Sequence, residues 1–393
     1  MEQLLFTILR RALGFADRHE KLPSEVFPVS KDSASQTLHD APQPDWQSVI
    51  ELLRSHALLA VSADAILSLP EEQRPSPVLQ MQVMQYAASV TQMHHKLNSV
   101  VSEVFATLHD AGLHPVLLKG QGLAPLYPMP YTRSCGDIDI FLLPEEFQQG
   151  CRMIFDYCDM SGENTQPLPN NIHLTAHKDD DVKIEIHYLP ADTAISDISD
   201  EYNRWLMDNF RHLPSTSQRD VPTVPPVQVN VVYVFEHILK HLRSGGVGLR
   251  QFIDWMMLLH AGKDAIDHKL LRHDLQRFHL LDAWQVFGGI LVYQFGLPES
   301  EFPLWNARKA RHSQGRNLEY ILFSGNLGAT LGHYKGYYYL PPSFRRDILA
   351  LRYSLRYQRF MYHVLPYDTP RRVMGDIKRV LTNQIKRIDL LKI

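Results

Sequence analysis

The chain has 393 residues, 45% of them hydrophobic and 21% charged, with a net charge of −3. That length allows one or two domains with a real core, and the near balance of charge excludes a globally basic nucleic-acid binder. Three cysteines, Cys135, Cys151 and Cys158, give neither a metal-ligand spacing nor an even disulfide set, which fits a reducing, cytoplasmic setting.

The start, MEQLLFTILRRALGF, has no long uncharged apolar region and no small-residue cleavage site, so it does not read as a signal peptide. No apolar run approaches the ~18 residues of a membrane span. Residues 1–21 have helical spacing at Leu4, Leu5, Ile8 and Leu9; residues 22–44 are aperiodic and read as a linker. Asp45 is placed to cap a helix containing Trp46, Ile50, Leu53 and Leu58. LPEEQRPSP (69–77) interrupts the pattern, and a long helix follows from about Val78 to Ala111, with Gly112 as its stop.

From His114 the pattern turns mixed. Val116–Leu118 reads as a buried strand, Leu123–Tyr127 as a short helix, and Ile138–Leu143 as a second strand opening with Asp137-Ile138-Asp139. Pro144-Glu145-Glu146 suits the first turn of a helix through about Asp159. NIHLTAH (171–177) and VKIEIHY (182–188) alternate as strands. Matching their polar faces places Thr175 opposite Glu185 and leaves the three-residue loop Asp179–Asp181; a two-residue turn sets apolar against polar throughout.

After Pro190 the sequence is helical: Val227–Arg243, Leu249–Ala261, Lys269–Phe278 and Asp282–Phe295 carry the period. GYYYLPPSF (336–344) reads as a Tyr-rich loop. From Arg345 to Ile393 twelve Lys and Arg stand against four Asp and Glu. These basic helices are either amphipathic surface elements or a contact for an anionic partner such as RNA, a phosphorylated substrate or a membrane.

The chemistry gathers in the mixed segment. Asp137 and Asp139 are two apart, so a strand points both to one face, and an apolar strand does not bury charge without a partner. Glu185 lies on a later strand whose polar face also carries Lys183 and His187. Three carboxylates converging on a small sheet make an oxygen-ligand cage suited to Mg²⁺, as used in phosphoryl and nucleotidyl transfer. A Gly turn at Gly120 beside that cage can offer N–H groups to a triphosphate, and Lys119 and Arg133 flank it as phosphate counter-charges. His173, His177 and His187 are candidates for structural or substrate contacts. His237 and His241, at i and i+4, more readily line a helix face near the cleft than bind zinc.

The segments LLKGQGLAPLY, RSCGDIDIFL, KIEIHYL and GLRQFIDWMMLLH resemble the motifs of the uncharacterised bacterial nucleotidyltransferase family of the polymerase-β-like superfamily. DWQSVIELLRSHALL resembles its N-terminal helical segment, so the resemblance covers residues 45–261. It implies an α+β fold: a small mixed sheet as nucleotidyltransferase core, flanked by N-terminal helices and a large C-terminal all-α region. The corresponding division is 1–112, 113–190 and 191–393. It implies Asp137, Asp139 and Glu185 as ligands of two Mg²⁺ ions, with Glu185 also helping to deprotonate the attacking hydroxyl. Lys119, Gly120, Gln121 and Gly122 would form the phosphate turn, although Gln121 stands where the superfamily usually has Gly or Ser. Lys240, Arg250 and Asp254 lie on helices that the family packs beside the sheet, and Lys240 and Arg250 join Arg133 as candidate nucleotide contacts. The implied reaction moves an NMP from an NTP to an acceptor with release of pyrophosphate. The acceptor is open among a sugar phosphate, a metabolite, RNA and protein. RSCGDID is also similar to an abortive-infection toxin branch that modifies tRNA or protein, and a silent scaffold of the same fold is the third alternative.

Overall fold

A computed structural model describes residues 2–17, 22, 45–167, 171–213, 218, 220–244, 246–315, 317–318, 355, 357–371 and 373–374. Nearly all of the expected linker at 22–44, the Tyr-rich loop at 336–344 and most of the basic stretch 345–393 lie outside these residues.

Four helices precede the sheet: α1 (Glu2–Ala12), α2 (Trp46–Ser55), α3 (Leu59–Leu67) and α4 (Pro77–Asp110). Asp45 caps α2 by accepting from the Ser48 amide at 3.0 Å. The single helix expected through Leu58 is instead two. Ala57 sits at φ 57°, a region an L-residue seldom enters, and the chain turns there. Ser76 and Pro77 start α4, and Gly112 at φ 75° follows its end, where a residue without Cβ meets no penalty.

The sheet contains β1 (Val116–Leu118), β2 (Ile138–Phe141), β3 (His173–Lys178) and β4 (Val182–His187), in the order β1-β2-β4-β3. β1 and β2 are antiparallel, β2 and β4 parallel, and β4 and β3 antiparallel. Thr175 is opposite Glu185, and the loop is Asp179–Asp181, as the polar faces required. Asp179 turns it at φ 54°, a conformation Asp tolerates. Asp137 lies one residue ahead of β2 rather than within it. A short α5 (Gly120–Leu123) runs into a 3₁₀ turn at Ala124–Leu126, and α6 (Pro144–Tyr157) follows β2.

The two faces of the sheet have different fates. Leu117, Ile138, Ile140, Ile184 and Ile186 pack into one apolar layer with Val104 and Phe105 of α4 and Ile154 of α6. On the opposite face Val116, Leu118 and Phe141 join a larger core. That core is built by α7 (Ser199–Arg211), α8 (Val227–Ser244), α9 (Leu249–Gly262), α10 (His268–Arg277) and α11 (Leu281–Tyr293). Its centre is a contact of Phe235, Trp255 and Trp284, with ring centroids 4.6–5.2 Å apart. Leu5, Ile8, Leu53 and Ile66 of the N-terminal helices share it, so helices from both sides of the sheet in sequence close over one face in space. Among the described residues no helix is long and apolar enough to cross a membrane.

Candidate active site

The carboxylates meet because of sheet topology. β2 and β4 are parallel neighbours, and Asp139 and Glu185 are partners in that register. Asp137, just before β2, lines the same cavity of about 510 Å³. Asp139 is almost wholly buried, its side chain 6% exposed, whereas Asp137 is 39% exposed at the rim.

A buried carboxylate needs charge beside it. Lys119 Nζ lies 3.1 Å from Asp139 Oδ1, and His187 Nε2 lies 2.9 Å from the same oxygen. Lys119 arrives there from the end of β1, where it takes φ 50° immediately before Gly120 at φ 40°. Burial works to raise the Asp139 pKa, but Lys119 and His187 outweigh it and hold the group far below the ordinary carboxylate range. For Lys119 burial opposes the charge, and Asp139 overcomes it, so its pKa rises. His187 likewise rises despite burial, through its bonds to Asp139 and Glu185.

Glu185 is bracketed. Lys183 Nζ lies 2.5 Å from its Oε1, while His173 Nδ1 and His187 Nε2 lie 3.5 and 3.6 Å from its Oε2. Against the effect of burial, His187 and Lys183 pull its pKa down to about 2. Asp137 goes the other way, raised by burial and by the neighbouring charges of Asp139 and Glu185. The trio thus stands partly neutralised by the chain's own cations.

The facing wall belongs to α8 and α9. Tyr233, Glu236, His237, Lys240 and His241 recur at helical spacing along α8 and line the cavity. His237 and His241 touch through Nε2 at 2.9 Å, and burial depresses both, His241 to about 4. They form a neutral pair, and no third metal-ligating group joins them among the described residues. Glu236 is buried, accepts from the Ala194 amide, and is pushed up to about 7 by burial. Lys240 pairs with Asp192 at 3.2 Å.

Arg133, expected to balance phosphate, is closed on Asp254 of α9. Its Nε and Nη2 each donate to that carboxylate at 2.7 Å, and Tyr127 Oη donates to the same Asp254 at 2.7 Å. Arg250 donates to the Ser134 carbonyl. Arg133 and Arg250 therefore clamp the loop Arg133–Gly136 to α9, and with it Asp137.

Lys119 and Gly120 line the cavity; Gln121 and Gly122 do not. Gln121 is buried, with neither amide atom partnered among the described residues, and a Cβ at Gly122 would press on Val224 and the Leu117 carbonyl. Close packing behind the turn explains that glycine. The four-residue α5 is also too short to supply a helix terminus of any strength. Lys183, His237 and His241 line the cavity, as the polar face of β4 and the helix face near the cleft imply, and Glu236 joins them through the period of α8.

The donor chemistry fits a hard divalent cation. Asp137, Asp139 and Glu185 offer carboxylate oxygens alone, and the Lys183 ammonium, within 3.5 Å of Asp137 and Glu185, marks the gap between them as a place that favours positive charge. A second grouping, His173, Glu185 and His187, brings ligand atoms within 4.8 Å of one another. His187 Nε2 is already engaged with Asp139 at 2.9 Å, which favours the all-oxygen set.

Among known families, the model described as uncharacterised nucleotidyltransferase matches residues 42–291. No curated protein and no solved structure matches the chain.

Proposed function

The chain belongs to the uncharacterised nucleotidyltransferase family, and from that premise we propose that it transfers an NMP from an NTP to an acceptor, using Mg²⁺ and releasing pyrophosphate. The observation that carries the reading is the pairing of Asp139 with Glu185 on adjacent parallel strands, with Asp137 facing the same cavity. Asp137, Asp139 and Glu185 would hold the metal. Mg²⁺ bound there supplies positive charge to the phosphates and makes the attacking hydroxyl more acidic.

The chain's own residues supply the rest. Lys119 is fixed by Asp139 at the floor and adds a cation where the triphosphate would lie. Glu185, kept ionised, suits a metal ligand, and with so low a basicity it would assist deprotonation of the acceptor hydroxyl only through the metal it holds. His187 orients Asp139 and Glu185 together. Arg133 and Arg250 hold the loop that presents Asp137. Gly120 leaves the turn open beside the carboxylates, and Lys240, which lines the same cavity from α8, would contact the nucleotide or the acceptor.

The test is nucleotide binding with and without Mg²⁺, by calorimetry on the whole chain. The reading expects Mg²⁺-dependent affinity that Asp139→Asn removes. Equal binding by wild type and variant would contradict it.

A further inference from the structure

We propose that the Lys183 ammonium holds the place of a divalent cation between Asp137 and Glu185, and leaves when metal arrives with the triphosphate. This rests on the nucleotidyl-transfer reading and adds an order to it: the bare metal binds poorly, and the metal–nucleotide pair binds well.

Lys183 and Glu185 are two apart on β4, so their side chains share one face. The lysine stem runs along that face, and its head reaches both carboxylates, at 2.5 Å from Glu185 Oε1 and 3.5 Å from Asp137 Oδ2. A divalent cation held between Asp137 and Glu185 would occupy the space where the ammonium now sits. The ammonium and the metal therefore exclude one another, and whatever affinity the lysine has for the carboxylates is subtracted from that of the metal.

The two lysines of the site differ in freedom. Lys119 is walled in, its side chain 16% exposed, and cannot leave Asp139 without abandoning a buried charge. Lys183 is 39% exposed at the rim, on a flexible stem. Only Lys183 can move out at small cost. Three carboxylates facing two lysines carry little net attraction for a free divalent ion. A triphosphate changes that balance, because it brings the metal and offers the displaced ammonium an anion of its own.

The experiment is a titration of the whole chain with Mn²⁺ alone, following the free-ion signal by electron paramagnetic resonance, with no nucleotide present. Lys183→Met keeps the stem and removes the charge. It is expected to tighten Mn²⁺ binding by at least about fivefold, the scale of losing one competing charge near a protein surface. Lys183→Arg, which keeps the cation, should stay near wild type. The double change Lys183→Met with Glu185→Gln should lose the gain. Wild-type affinity or weaker in Lys183→Met overturns the proposal. Because no nucleotide is used, that outcome stands apart from failure of the transferase reading, which shows as absent Mg²⁺-dependent nucleotide binding in the wild type.

Discussion

Replacing Asp254 by Leu tests whether the clamp between the Arg133 loop and α9 carries the stability of the site. The carboxylate takes two N–H donors from Arg133 and the hydroxyl of Tyr127, all at 2.7 Å. The Arg133 and Asp254 side chains are only 3% and 6% exposed. Removing one partner strands a buried guanidinium without counter-charge, a change that destabilises by about 3–5 kcal/mol. Removing both, as Arg133→Met with Asp254→Leu, leaves no stranded charge and should recover most of that loss. Equilibrium denaturation of the four proteins closes a double-mutant cycle. The single changes should each be severe and the double change milder than either. A loss below about 1 kcal/mol for Asp254→Leu, or a double variant as unstable as the two losses added, would refute the argument.

Three further outcomes follow from burial. Burial pushes the Glu236 carboxyl up to about 7, so its contribution to stability is full below the unfolded carboxyl range and is lost as pH rises through 7. Glu236→Gln should therefore gain on wild type by about 3 kcal/mol between pH 4 and pH 8, and a pH-independent difference in denaturation midpoints would contradict this. Burial pushes the thiols of Cys151 and Cys158 up to about 12 and 11. In the native protein at pH 8 a maleimide should label Cys135, on the cavity wall, before either of them by peptide mass, and equal labelling would count against the fold around α6. At Gly289 a Cβ would meet the Ala310 carbonyl and the Ser313 hydroxyl. Gly289→Ala should lose about 1–3 kcal/mol in a thermal or denaturant melt, and an unchanged melt would refute that packing.

What could be read from sequence depended on range. The β3–β4 hairpin was legible because its two polar faces allow one register, and Thr175 opposite Glu185 follows from local alternation. The three carboxylates were legible as residue types on strand faces. Their meeting was not a local property: Asp139 and Glu185 are partners only because β2 and β4 lie parallel across an intervening helix and strand. The pairing of Arg133 with Asp254 joins residues 121 apart, and the acids near Arg133 in sequence, Asp137 and Asp139, are not the one it meets. The break between α2 and α3 hid for a different reason, since Ala57 is a helix former placed in a backbone region that its side chain disfavours. Lys183 was visible as a charged residue on a polar face; its contact with two acids follows from where the sheet puts Asp137.

Nucleotidyl transfer at the carboxylate trio can be assayed on the whole chain. The most direct measurement is pyrophosphate release from each of the common NTPs by the purified chain, with Mg²⁺ and with chelator, for wild type, Asp139→Asn and Glu185→Gln. The wild type should release pyrophosphate in an Mg²⁺-dependent way when an acceptor is supplied from a cell extract, and neither variant should release any. Release that persists in Asp139→Asn and Glu185→Gln at the wild-type rate would contradict it.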